Sequence, residues 1–241
     1  MRTTSQVCVC VAAMVMAAAV GCDFRAPKSD EGGAAVETTR TTQQLLQGGA
    51  LVFEEDFEGA LDPAVWNDTS TGGWEVREGE LFSKGTKNAA LWLKRELPEA
   101  VRVEFVARSE SPDGDIKFEV FGDGAKHESG YIAIFGGWQN RLNIIARLDE
   151  HGEDRCVMNA PTAVCRPGPA GRQRVVKGRA YKMALVRVDH VVRWFVDGEL
   201  FLEYVDPKPL KGAGHRHFAF NDWAVPLWFD DLKVYDLAQE G

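Results

Sequence analysis

Clustered cations, metal-ligand motifs and long apolar runs are what this 241-residue sequence has least of. Its longest uncharged apolar stretch, Val7 to Val20, falls short of the ~20 residues a bilayer-spanning helix needs. Lysine and arginine number 28 against 36 aspartates and glutamates, for a net charge of −8. The one basic stretch, Arg166 to Lys182, spreads its cations thinly among Gly, Pro and Val. It reads as a solvated loop and strand edge, and argues against a nucleic-acid partner, which requires clustered cations. No CxxC pair is present, which removes the usual structural zinc site. The GxSxG elbow, the Rossmann glycine fingerprint, the P-loop and HExxH are all missing, so nothing implies a cofactor or a resident catalytic metal. No segment has a convincing amphipathic helical period, and there is no internal repeat.

What is present begins with a leader. Arg2 precedes the short apolar run, which ends in Ala19-Val20-Gly21-Cys22. Small residues before a cysteine resemble the bacterial lipobox, with Ala19 standing where Leu is usual. The resemblance implies a signal peptide over 1–21, cleavage before Cys22 and lipid modification of its thiol. A membrane is then contacted through the lipid anchor alone, and the chain is placed in the bacterial cell envelope, inner or outer membrane left open. Residues 22–49, rich in Thr, Gln, Gly and Ala, read as the lipidated cysteine followed by a flexible tether. A short helix around Thr42 to Leu46 is the alternative for its end. With Cys8 and Cys10 in the leader, Cys156 and Cys165 remain, and an exported pair favours a disulfide.

From about residue 50 to 238 the pattern is β. Apolar and charged residues alternate in Val101 to Phe105, Ile116 to Val120 and Leu142 to Ile144, which gives each strand one buried and one wet face. Asp197-Gly198 between two strand-like runs marks a hairpin whose turn residues both need positive φ. Roughly a dozen strands are expected, enough for one two-sheet sandwich.

Particular segments carry a family resemblance. Phe53 to Glu58 with Leu61-Asp62-Pro63 and Trp66 is similar to the opening of concanavalin A-like lectin and glucanase domains. Trp74 to Leu81 looks like their second hairpin. Arg193 to Leu200, Phe218 to Trp223 and Phe229 to Tyr235 resemble their last strands, and are also similar to 3-keto-disaccharide hydrolase-like domains. The resemblance implies an all-β jelly-roll sandwich of two antiparallel sheets with saccharide held on the concave one. It also implies a possible structural Ca²⁺ near the first and last strands, where Glu55, Asp56, Asp230 and Asp231 are the acids available.

Alternation sorts the candidate site. Leu142, Ile144, Ala146 and Leu148 are assigned to the core, leaving Asn143, Arg147 and Asp149 with Ile145 on the wet face. Asp115, Lys117 and Glu119 share a face opposite Ile116, Phe118 and Val120. Trp138, Asn140 and His151 are expected at the groove rim, with His215, His217, Asn221 and Trp223 closing it from another strand. Aromatic faces suit pyranose C–H faces and planar polar groups suit hydroxyls, so a glycan or polysaccharide is the expected partner. Asp115 and Glu119 lie about 13 Å apart by Cα at ~3.3 Å per residue, on one face as in the family's paired catalytic carboxylates. Lys117 between them is expected to hold both as carboxylates, where a glycosidase needs one carboxyl kept protonated. The expectation is therefore a non-catalytic carbohydrate-binding domain with no catalytic residues assigned. A polysaccharide hydrolase, or a lyase using His151, Tyr131 or Arg147, is the alternative, and an envelope protein-interaction domain the second.

Overall fold

The computed structural model describes residues 40–239. The leader, Cys8, Cys10, Cys22 and the first part of the expected tether lie outside the described residues. After a short helix, α1 (Thr42–Gln47), come β1 (Ala50–Glu55), β2 (Trp66–Asp68), β3 (Trp74–Arg77), β4 (Glu80–Ser83), β5 (Leu91–Leu93), β6 (Val101–Ser109), β7 (Ile116–Gly122) and β8 (Tyr131–Gly136). They continue as β9 (Leu142–Arg147), β10 (Cys156–Val157), β11 (Cys165–Pro167), β12 (Ala180–Val188), β13 (Val191–Val196), β14 (Glu199–Val205), β15 (His217–Asn221) and β16 (Leu227–Asp236).

All these strands pair antiparallel, in two sheets. The first has nine strands in the order β11-β14-β13-β12-β6-β16-β4-β3, with β1 also paired to β16. The second has seven, β10-β9-β8-β7-β15-β5-β2. The expected all-β jelly-roll sandwich is what the chain forms, with sixteen strands where the pattern suggested about twelve. Two hairpins follow directly from turn chemistry. Asp197 and Gly198 take φ of 52° and 82°, and Glu78 and Gly79 take 53° and 78°. Both pairs are in the left-handed region that matches strand twist across a two-residue turn.

The core lies between the sheets and is aromatic. Phe105, Phe118, Trp194, Phe201, Phe220 and Phe229 are all buried within it. Trp194 meets Phe201 at 4.6 Å and Phe118 at 5.2 Å, edge to face, and Phe220 meets Phe229 at 4.4 Å. Such rings add about 0.5–1.5 kcal/mol per pair beyond the area they bury. At one end the expected disulfide is present: Cys156 and Cys165 sit with Cα atoms 4.8 Å apart. Because β10 belongs to the second sheet and β11 to the first, the bond ties the two sheets together at one edge. Closing so short a loop is worth about 2–3 kcal/mol in the chain-entropy account.

The tether ends earlier than the composition suggests. Thr41 and Gln44 form a reciprocal capping box at the start of α1, and Leu45 is buried against Val186, Phe195 and Leu237 on the outside of the first sheet. Arg102, stacked on Tyr235, donates from Nη1 to the carbonyls of Leu45 and Gly48, satisfying the end of the helix. The short-helix alternative is what the structure shows for residues 42–47, packed on the first sheet.

Candidate functional site

Strand β7 positions the site. Ile116, Phe118 and Val120 enter the core, so alternation turns Asp115, Lys117 and Glu119 to the outer face of the second sheet, as the sequence pattern predicts. That face is not wet: Lys117 and Glu119 are fully buried and Asp115 is 8% exposed. Two loops cover it, 123–130 after β7 and 148–155 after β9, joined where Leu148 N donates to Gly130 O.

Charges buried this way need partners. Lys117 Nζ donates to Glu150 Oε2 at 2.8 Å and to Asn88 Oδ1 at 2.8 Å. Glu119 Oε1 accepts from Asn221 Nδ2 at 2.6 Å and lies 2.8 Å from His127 Nδ1. The Asn221 amide also lies 3.2 Å from that nitrogen. Since a carboxylate can only accept, the shorter contact makes His127 Nδ1 an N–H donating to Glu119, and the Asn221 amide donates to Glu119 rather than to the ring. Asp222 accepts from the backbone of Thr86 at 2.6 Å and from Ser83 Oγ, and burial pushes its carboxyl up to about 6.

Among the described residues, the second oxygen of Glu119, Oε2, is buried without a partner, and Asp115 has none at either oxygen. Burial raises the Asp115 carboxyl to about 6; Lys117 opposes the rise, and the charges of Glu150 and Asp222 add to it. Lys117 thus does not hold Asp115 as a low-pKa carboxylate, contrary to the expectation from sequence, because Glu150 and Asn88 already engage the ammonium and desolvation outweighs its field.

Over this floor is a cavity of about 590 Å³, a size that suits one or a few sugar rings. Asp115, Lys117, His127 and Glu150 line its base, and Trp138, Trp223 and His151 line its sides. Trp223 is 51% exposed. Trp138 stands edge-on to His151 at 5.6 Å, with the Arg155 guanidinium 5.2 Å over its ring. It is presented by an unusual turn, Gly137–Asn140, in which Trp138, Gln139 and Asn140 have φ of 52°, 60° and 59°. Left-handed backbone costs a non-glycine residue roughly 1–2 kcal/mol. The turn is held by Asn140, whose Nδ2 donates to the carbonyls of Val175 (2.7 Å) and Pro112 (3.1 Å), and whose Oδ1 accepts from Val175 N at 3.0 Å. Local strain kept by surrounding bonds is a common mark of functional sites.

The structure brings three of the nine sequence-selected residues to the cavity wall: Trp138, His151 and Trp223. Asn221 sits beneath, fully buried, bonded to Glu119. Asn140 holds the turn rather than facing the cavity. Asp149 is exposed and accepts from His151 N at 2.7 Å, shaping the loop. His217 Nδ1 lies 2.9 Å from Leu93 O and His215 Nδ1 lies 2.8 Å from Ser129 O, both bound to backbone away from the cavity.

The face assignment of β9 is corrected. Ile145 belongs to the core between the sheets, while Ile144 and Ala146 pack outward with Ile132, Ile134 and Trp138. Asn143 and Arg147 therefore point inward, where each is satisfied. Asn143 holds Gly136 N and the carbonyls of Gly171 and Gln173. Arg147 Nε contacts Asp206 Oδ2 at 3.2 Å. Tyr131 donates to the same oxygen at 2.7 Å, and burial pushes its phenol well up. Of the residues considered for a lyase, His151 lines the cavity, whereas Tyr131 and Arg147 are bonded to Asp206 and do not. His127, Glu150 and Asn88, which the sequence reading did not select, complete the floor. The only local sign of them was polarity in three loops.

Of the four acids considered for calcium, Glu55 and Asp230 accept hydrogen bonds from nearby groups. Glu55 accepts from Phe57 N (3.1 Å) and Trp66 Nε1 (3.3 Å), and Asp230 accepts from Asp231 N, with burial raising its carboxyl. Among the described residues no group of three or more His, Cys, Asp or Glu is arranged to hold a metal ion.

The buried Asp115 has a consequence for stability. An acid whose pKa is raised by folding binds its proton more tightly in the native state. Stability therefore falls as pH climbs from about 4 through about 6, and the loss is complete above that window. Asp115→Asn is expected to be more stable than the parent at pH 7 by on the order of 1–3 kcal/mol, with the gain vanishing near pH 4. Urea titrations at the two pH values check this; an equal gain at both, or a loss at pH 7, contradicts it.

No known family profile matches the chain, and no curated protein matches it significantly. Among solved structures it is similar to a non-specific endo-β-1,3(4)-glucanase of family GH16. That match has a TM-score of 0.55 at 13% identity, over 84% of this chain and 100% of that one. It is similar to a laminarinase from Flavobacterium sp. UMI-01, with TM-score 0.53 at 13% identity over 78% and 100%. It is also similar to a structure of the endo-acting O-glycanases that prominent members of the human gut microbiota express to initiate mucin breakdown, with TM-score 0.55 at 16% identity over 78% and 100%. At such identities the likeness carries the fold alone: the domain is an all-β jelly-roll sandwich of two antiparallel sheets.

Proposed function

We propose that this domain binds a saccharide in the cavity over β7, without catalysis, and that the chain is exported and lipid-anchored through Cys22. The observation that carries the first part is the union, in one cavity, of two tryptophans and a charged, hydrogen-bonding floor. Indole faces pack against the C–H faces of pyranose rings, and carboxylates and imidazole pair with hydroxyls. The fold's likeness to glycan-acting enzymes supports this reading. The lipobox-like Ala19-Val20-Gly21-Cys22 supports the anchor, and the Cys156–Cys165 disulfide supports an oxidising compartment. The absence of catalysis is argued from Glu119: its carboxylate is fully buried and engaged by His127 and Asn221. It cannot flank a glycosidic bond as one of the two carboxyls hydrolysis requires.

A second reading has one observation in its favour. Asp115, held near 6 and unpartnered, has the proton affinity of a general acid. Calorimetric titration against a polysaccharide panel, read in parallel for new reducing ends, separates the two. Binding without release is expected, weakened about tenfold by Trp223→Ala or Trp138→Ala, a cost of about 1.4 kcal/mol. Absence of binding at millimolar saccharide, or indifference to both substitutions, contradicts the proposal; release of reducing ends that Asp115→Asn abolishes establishes the second reading instead. For the anchor, Cys22→Ser is expected to move the protein from the membrane fraction to the soluble one, and unchanged fractionation contradicts it.

A further inference from the structure

The cavity is lopsided in charge, and from this we infer that the saccharide it takes carries a free amine: a cationic amino sugar, in preference to a neutral or acidic glycan. The inference rests on the saccharide reading above and names the class of sugar.

Asp113, Asp115, Glu128 and Glu150 line the cavity against a single lysine, Lys117. That lysine offers no charge to a ligand: its side chain is 2% exposed and paired with Glu150. Asp115 is more than nine-tenths buried and, among the described residues, has no hydrogen-bond partner. A carboxylate is acceptor-only, so what it lacks is a donor. Beside it, His127 Nε2 is also buried without a hydrogen-bond partner. Glu150 and Glu128 stand 3.8 Å and 3.9 Å from it.

The site thus presents acceptors and negative charge in a partly desolvated space, where an uncompensated carboxylate is costly. An ammonium supplies three N–H donors together with the missing positive charge. A hydroxyl supplies one donor and no charge. With Glu150 neutralised by Lys117, a uronate or sulfate would still set an anion among Asp113, Asp115 and Glu128 and be repelled. Trp223, 51% exposed, favours the same choice, since indole faces attract cations as well as C–H groups.

The test is calorimetric titration of the full-length, detergent-solubilised protein near pH 6.5 with three probes of equal length: a glucosamine oligomer, its N-acetylated counterpart and a β-glucan oligomer. The glucosamine oligomer is expected to bind at least about tenfold more tightly than either neutral probe. Asp115→Asn is expected to erase that preference, whereas Glu199→Gln, on the opposite sheet, leaves it intact. Raising the salt concentration is expected to weaken the glucosamine oligomer selectively, a readout that does not depend on any variant folding. Equal binding of charged and neutral oligomers, or a preference that survives both salt and Asp115→Asn, overturns the amino-sugar inference while leaving saccharide binding in place. If none of the three binds, the saccharide reading fails with it.

Discussion

The outer face of β7 places a lysine and a glutamate in a position that two loops seal from water, and the site depends on how those charges are satisfied. Neither group survives burial alone, since an unpaired charge in low dielectric costs several kcal/mol. Glu150 reaches Lys117 from the loop after β9, and His127 reaches Glu119 from the loop after β7. Each contact is a requirement of the strand and a tether for the loop. The cavity exists because the loops that roof the strand's charges stop short of Asp115, which keeps its carboxylate unpartnered at the cavity wall.

The rest of the sandwich gives this arrangement a fixed frame. Trp194, Phe118 and Phe105 lock the sheets face to face. The Cys156–Cys165 bond joins their edges beside the loop that carries Glu150 and His151, and the Arg147–Asp206–Tyr131 cluster anchors the interior near the start of that loop. The left-handed run Trp138 to Asn140 sits at the cavity wall and is held by Asn140. The aromatic packing lies between the sheets, and the buried charges Lys117, Glu119 and Asp115 lie at the site.

Much of the fold was readable from period and turn chemistry. Asp197-Gly198 specified its hairpin because few residue pairs accept positive φ twice, and the strict alternation of β7 assigned its faces correctly. The same rule failed on β9. Both faces of that strand are buried, so Ile144-Ile145 gives no contrast, and the polar residues taken as wet, Asn143 and Arg147, are satisfied inside. A capping box was legible in Thr41 to Gln44 but was outweighed by the composition around it. The site was only half legible. Trp138, His151 and Trp223 could be selected as residue types, whereas His127 and Glu150 matter through contacts 8 and 33 residues distant in the chain, which no local pattern encodes.

The most direct measurement of the central claim is hydrogen exchange across residues 123–130 and 148–155 in Lys117→Met, alongside its denaturant stability. Removing one partner of a buried pair leaves Glu150 uncompensated. The account predicts a loss of about 3–5 kcal/mol, with faster exchange in the 148–155 loop that exceeds any change in the core strands, and substantial recovery when Glu150→Leu is added. A Lys117→Met protein as stable as the parent, with both loops exchanging at the parental rate, would contradict it.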